Sequence, residues 1–185
     1  MTAPKQARGL DIKAFAQSGG ERQQQDRLAD HPRLFEEAEG RGGDRPVRWH
    51  AVGQWRTSAG VVPQIWLHVV ADADVPLTCQ RCLEPVDEPL AVDRWFRFVA
   101  DEAQAAREDE EADEDVLVLD PAFDLQALVE DELLMALPLV PRHDVCPGEV
   151  RMEVADPGFA QAEADKPNPF DVLADLKRKS SGNGL

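Results

Sequence analysis

Tyrosine is absent from this 185-residue chain, methionine and cysteine number three each, and basic side chains are scarce: 20 Lys and Arg against 36 Asp and Glu, a formal net charge of −16. A protein so acidic does not coat nucleic acid by bulk charge, so any nucleic-acid contact must be confined to a local patch. No run approaches the roughly 18–20 apolar residues that span a bilayer. The first residues, MTAPKQARGLDIKAF, hold neither a continuous apolar segment nor a cleavage-site pattern, which argues against a secretory signal. Three cysteines are too few, and odd in number, for a disulfide framework, so the expected compartment is the reducing cytoplasm, with no membrane association.

The charge is unevenly placed. Residues 1–100 carry 13 basic and 14 acidic side chains, whereas residues 101–185 carry 7 and 22. The densest stretch, Asp101 to Asp115 (DEAQAAREDEEADED), has nine carboxylates and one arginine. Such a block repels itself and reads as a solvated loop. A functional reading is an acidic lure for a basic protein.

Hydrophobic residues make up 43% of the chain, enough for one globular core. Glu21 to Glu39 is polar and helix-prone, with Leu28, Leu34 and Phe35 as its apolar anchors. Leu10 to Gln17 fits a short helix or a strand. The body is β-like. Val47, Trp49 and Ala51 alternate with Arg48, His50 and Val52; Val61 to Ala71 is apolar on both faces, as in a central strand; Leu90, Val92, Phe96 and Phe98 share one face, with Arg94 interrupting the set. Asp115 to Leu119 adds a short strand candidate. One strong helix follows, with Asp124 as N-cap, Leu125, Leu128, Val129, Leu133, Ala136 and Leu137 as its stripe, and Pro138 as its stop. A last helix opens at Asn168–Pro169 and ends in Lys177, Arg178 and Lys179.

The expected fold is α+β: an antiparallel β-sheet or partial barrel with one packed helix and peripheral N- and C-terminal helices. Three segments are expected. Residues 1–45 form an N-terminal helical or mobile segment. Residues 46–150 form a β-rich core with a Cys-x-x-Cys turn, the acidic loop 101–115 and the helix 124–137. Residues 151–185 form a linker, a short helix and a tail.

Cys79-Gln80-Arg81-Cys82 is the first motif with chemical content. Two thiolates three positions apart on a tight knuckle reach one edge of a zinc tetrahedron. His143 and Cys146 repeat that spacing about 60 residues later, so the four would complete a Cys₃His site and use every cysteine in the chain. The alternative is metal-free loop cysteines. A thioredoxin-like use is disfavoured, because Pro76–Leu77 before the motif and Glu84–Pro85 after it make a β-turn setting rather than a helix N-terminus. Arg81 is expected to point outward from the knuckle, either solvated or against a phosphate. Lys177, Arg178 and Lys179 are either an RNA-phosphate contact or the ordinary charge complement of a helix end. There is no phosphate-cradling glycine loop and no nucleophile elbow, and the carboxylates single out no acid–base pair, so no catalytic residues are expected. His31, His50 and His68 have no obvious partners in the sequence; His50 and His68, in expected strands, read as satisfied or exposed. The four tryptophans, Trp49, Trp55, Trp66 and Trp95, fall in expected strands and read as core packing more readily than as a base-stacking face.

These motifs bear a resemblance. Leu77-Thr-Cys-Gln-Arg-Cys-Leu-Glu-Pro85 resembles the Cys-x-Arg-Cys-Leu-x-Pro signature of the bacterial YceD family. The Leu125–His143 stretch, with its helix ending in Leu-Pro, and Lys166-Pro-Asn-Pro-Phe-Asp-Val-Leu-Ala-Asp-Leu-Lys177 resemble that family's later segments. The resemblance implies a large ribosomal RNA subunit accumulation protein: a non-enzymatic ribosome-biogenesis factor supporting 23S rRNA synthesis, processing or stability. Its expected partners are 23S rRNA or its precursor and a pre-50S particle. The alternative is an acidic module holding a basic ribosomal protein before assembly. Some relatives carry a further cysteine pair after the helix; this chain departs from them there, with His143 and Cys146.

Overall fold

The computed structural model describes residues 9–59 and 62–148, with Asp156 and Gly158. The chain divides into two units, Met1–Cys146 and Pro147–Leu185, and the elements below all belong to the first. The expected helix from Asn168–Pro169, with Lys177, Arg178 and Lys179, lies outside the described residues.

Five strands form one open sheet in sequence order: β1 (Glu21–Arg27), β2 (Pro46–Arg56), β3 (Gln64–Thr78), β4 (Pro85–Val99) and β5 (Asp115–Val118). β1 to β4 are antiparallel, and β5 joins β4 in parallel after a crossover through α3 (Glu102–Glu108). With α1 (Ile12–Gln17), α2 (Pro32–Glu37) and α4 (Leu125–Met135) the class is α+β. The sheet is open, not a closed barrel.

The register explains the core. Ile65, Leu67, Ala71 and Ala73 of β3 lie opposite Phe98, Phe96, Val92 and Leu90 of β4, and Val47, Trp49 and Ala51 of β2 continue the same face. All are buried, as the period-two alternation demands. α4 covers this face with Val129 and Leu133, each fully buried. Asp124 caps it by accepting from the Ala127 amide at 3.0 Å, as expected. α1 crosses β2 at Gly53, where a Cβ would meet Phe15 at 2.7 Å and the Ala16 backbone at 2.9 Å, so only glycine permits this approach.

Three expectations are corrected. Glu21 to Arg27 is a strand rather than the start of a helix, and helical structure begins only at the 3₁₀ turn Leu28–Asp30 and α2. Pairing with β2 decides this: Gln24 lies opposite Trp49, and Asp26 accepts the Trp49 indole N–H at 2.7 Å. The acidic stretch 101–115 is not a loop throughout. Arg97, only 8% exposed, binds Glu108 of α3 and, at 2.5 Å, Glu114, and Asp101 caps the helix through the Gln104 amide. One buried guanidinium thus offsets part of the local repulsion. The sheet, finally, is not wholly antiparallel, because β5 returns beside β4 in parallel.

β3 runs seven residues past the expected end at Ala71. Pro76 is tolerated because β2 leaves β3 after Ala73, so the proline lies where no ladder partner is needed on that side.

Candidate functional site

The Cys79–Cys82 knuckle joins β3 to β4, and the segment after α4 returns over it. The Cys79 amide donates to Glu84 O at 3.0 Å and the Leu83 amide to Cys79 O at 2.9 Å, closing the turn. Leu83 takes φ +64°, a left-handed conformation costing about 1–2 kcal/mol for a side-chain-bearing residue, so the turn is held from outside. That hold is visible. The Gln80 amide donates to Pro141 O at 2.9 Å, and Arg81 donates to His143 O at 2.5 Å and Asp144 O at 3.2 Å.

The two halves of the sequence motif therefore meet. One ligand atom each from Cys79, Cys82, His143 and Cys146 lies within 4.8 Å of the others, a group that could hold a metal ion. Cys79 is buried and the other three half-buried. A zinc–thiolate bond of about 2.3 Å sets tetrahedron edges of about 3.8 Å, so modest contraction brings four donors onto one ion. His143 Nδ1 is 3.3 Å from Cys82 Sγ, and its Nε2 lies 3.0 Å from Pro85 O. An Nε2–H donated to that carbonyl leaves the Nδ1 lone pair aimed at the thiols, the outer hydrogen bond a metal-ligating histidine uses to fix its tautomer.

Arg81 does not point outward. Its Nε donates to Cys146 Sγ at 3.1 Å, which corrects the expected orientation. Three thiolates and a divalent ion would leave one negative charge in excess, and the guanidinium stands where it offsets that charge. The bond to Cys146 raises the Arg81 pKa. Burial opposes ionisation of Cys79, but the amides of Cys82, Arg81 and His143 and the Cys82 thiol bring its pKa down to about 5. Cys82 goes the other way: its bond from the Glu84 amide favours the thiolate, but burial and the neighbouring Cys146 and Cys79 push it up.

The sequence did not reveal the carbonyls of Pro85 and Pro141, which orient His143 and anchor Gln80. Backbone acceptors carry no side-chain signal. The tryptophans divide: Trp49 is in the core, Trp55 packs against it, and Trp66 and Trp95 are half-buried on the opposite face of the sheet. His50 and His68 are satisfied by Glu21 and Asp93, each at 2.7 Å. His31 is 1% exposed, with neither ring nitrogen hydrogen-bonded among the described residues. No helix among the described residues is long and apolar enough to cross a membrane.

The chain thus holds a small α+β unit in which a Cys₃His donor group lies where a β-hairpin turn meets the segment after a helix. Residues 67–177 match the family described as "Large ribosomal RNA subunit accumulation protein YceD". The chain belongs to the YceD family. A protein of that name from Haemophilus influenzae is 42% identical over 114 residues, covering 57% of this chain and 62% of that protein. The alignment thus spans less than two thirds of the relative. No solved structure matches the chain.

Proposed function

We propose that this protein supports the accumulation of 23S rRNA in the cytoplasm, acting on its synthesis, processing or stability by binding ribosomal RNA or a pre-50S particle rather than by making or breaking bonds. The observation that carries the reading is the family match across residues 67–177, which includes the knuckle, α4 and the segment after it. Zinc held by Cys79, Cys82, His143 and Cys146 is proposed as a structural staple. The donor set and the Nε2 contact of His143 to Pro85 fit the ion, and four protein ligands leave no open position for a reacting water. Lys177, Arg178 and Lys179 are the proposed phosphate contacts. Arg81, whose donors serve the cluster, contributes to RNA binding mainly by holding the knuckle in shape.

The experiment is complementation with crosslinking. A strain lacking the gene is expected to lose 23S rRNA relative to 16S rRNA and to regain it with the full chain. Crosslinks from the C-terminal basic residues to precursor 23S rRNA would support direct binding. Unchanged 23S rRNA in the deletion strain would overturn the reading.

A second reading is favoured by one observation, the organised acidic segment. With Glu108 and Glu114 drawn to Arg97, Asp115 to Arg94 and Asp101 capping α3, the remaining carboxylates offer negative charge suited to a basic ribosomal protein. Recovery of such a protein in the crosslinks, without RNA, would select it.

A further inference from the structure

The face of the sheet opposite α4 carries an aromatic cluster. Register places Trp66 and His68 of β3 beside Arg97 and Trp95 of β4. His68 stacks flat on Trp95, with ring centres 4.3 Å apart and planes 8° apart, and Trp66 meets Trp95 edge-on at 6.2 Å. Arg56, exposed at the end of β2, lays its guanidinium 4.0 Å from the Trp66 ring centre and 4.5 Å from that of Trp95. It has no carboxylate partner among the described residues; its Nε donates to Gln54 at 3.1 Å.

These rings form the floor of an open cavity of about 390 Å³ whose rim carries Arg94 with Asp93, Asp113, Glu114 and Asp115; Asp93 meets His68, Glu114 is paired with Arg97 and Asp115 with Arg94. Asp113 is exposed and makes no ion pair among the described residues. Aromatic faces between carboxylates attract a cation, and a flat guanidinium above all, because it stacks on the rings while its edge reaches the acids. A nucleic-acid strand fits poorly, since its phosphates would meet the unpaired Asp113 and three further carboxylates whose charge Arg94, Arg97 and His68 only partly offset. The chain already shows the chemistry the cavity selects, with its own arginine in place.

The geometry points to the Trp66–Trp95 slot as a docking site for an arginine side chain of a basic protein segment, with Arg56 as its internal plug. Charge complementarity commits the occupant: the chain carries −16, and the densest acidic stretch borders the cavity. Arg56 and Trp66 lie just before the family-matched residues, and Trp95 and the rim carboxylates lie within them. That the partner belongs to the ribosome rests on the role proposed above; the slot's preference for arginine does not.

The test titrates the full-length, metal-loaded chain with three probes: a peptide of alternating Arg and Gly, its Lys and Gly counterpart, and a single-stranded RNA oligonucleotide. Calorimetry and tryptophan fluorescence report binding. The Arg peptide is expected to bind several-fold more tightly than the Lys peptide. Arg56→Ala, which removes only an exposed side chain, is expected to tighten Arg-peptide binding roughly fivefold by removing the competitor. Trp95→Ala is expected to weaken it roughly tenfold, and Trp66→Phe, which keeps the packing, to weaken it less. Equal binding of both peptides, unchanged in every variant, would mean general charge attraction and overturn the slot. RNA binding that Arg56→Ala weakens would also overturn it and make this face a nucleic-acid platform. The 23S rRNA complementation assay, run on the same variants, separates the two readings. Rescue by the wild type with no arginine preference sinks the slot alone. Arginine preference with no rRNA phenotype in the deletion strain sinks the ribosomal role alone.

Discussion

Two glutamates on α4, both buried, carry opposite consequences. Glu130, 6% exposed, accepts the Arg33 amide at 2.7 Å and the Leu34 amide at 3.2 Å, and also takes the Arg33 side chain. It therefore caps α2 from another helix, since Pro32 opens α2 and no local side chain serves its free amides. Glu130→Ala leaves those amides buried without an acceptor and is expected to cost about 2–4 kcal/mol, measured by urea unfolding. Glu132, 7% exposed, has a distant partner in Arg94 at 3.8 Å, and Arg94 already serves Asp115 at 2.5 Å. Burial raises its pKa above the ordinary glutamate value, against the pull of Arg94 and with help from Asp115 and Asp131. The folded state thus holds the Glu132 proton more tightly than the unfolded chain does. That contribution is full at acid pH, below the unfolded value, and is lost as pH rises through the folded one. Glu132→Gln is accordingly expected to raise the melting temperature by a few degrees at pH 7, about 1 kcal/mol, and to change little at pH 4. An equal shift at both pH values would show that the charge plays no part.

At the scale of elements, the knuckle depends on a segment with almost no regular structure. Residues 136–146 are held to it by Pro141 O, the Arg81 fork and the cysteine–histidine cluster. For the zinc staple proposed above, a strong chelator is expected to lower the melting temperature by 10 °C or more, because metal binding free energy enters folding directly. Cys146→Ser is expected to reproduce most of that loss and to make stability insensitive to chelator. Identical melting with and without chelator, in a protein shown by elemental analysis to have carried the metal, would contradict a stapling role. The spacing of the two half-motifs was legible in the sequence because ligand geometry constrains it. Their meeting was not, since it depends on where α4 lands. α4 itself was legible from Asp124 to Pro138, as were the inward residues of β2 and β4, because caps and periodicity are local signals. β1 was not. ERQQQDR alternates nothing apolar, and its strand conformation comes from β2 alongside it. The helix inside the acidic stretch was hidden in the same way, because its clamp, Arg97, lies outside the stretch.

At the scale of the molecule, the family-matched residues are not a folding unit. The match opens at Leu67, inside β3, yet β2 pairs with β3 from Val47–Ala73 to Arg56–Gln64 and contributes Val47, Trp49 and Ala51 to the buried face. α1 adds Ile12 and Ala16, each 1% exposed, and α2 adds Leu34. Cutting the chain before Gln64 would expose one edge of β3 and uncover much of the core while leaving all four proposed metal ligands in the sequence. Burial of a large aliphatic side chain contributes about 1.5–3 kcal/mol, and Val47, Ile12, Leu28 and Leu34 alone would remove several such contributions from a fold of ordinary marginal stability. The fragment 64–185 is therefore expected to show no cooperative unfolding transition by circular dichroism, even with zinc present. Its zinc affinity is expected to fall well below that of the full chain, because the knuckle is positioned by strands whose packing it has lost. A fragment that melts cooperatively and holds zinc as tightly as the full chain would make the first two strands an accessory layer. Loss of the transition in the fragment would assign them a structural duty: they complete the sheet whose β3–β4 turn is the knuckle and whose face carries the Trp66–Trp95 slot.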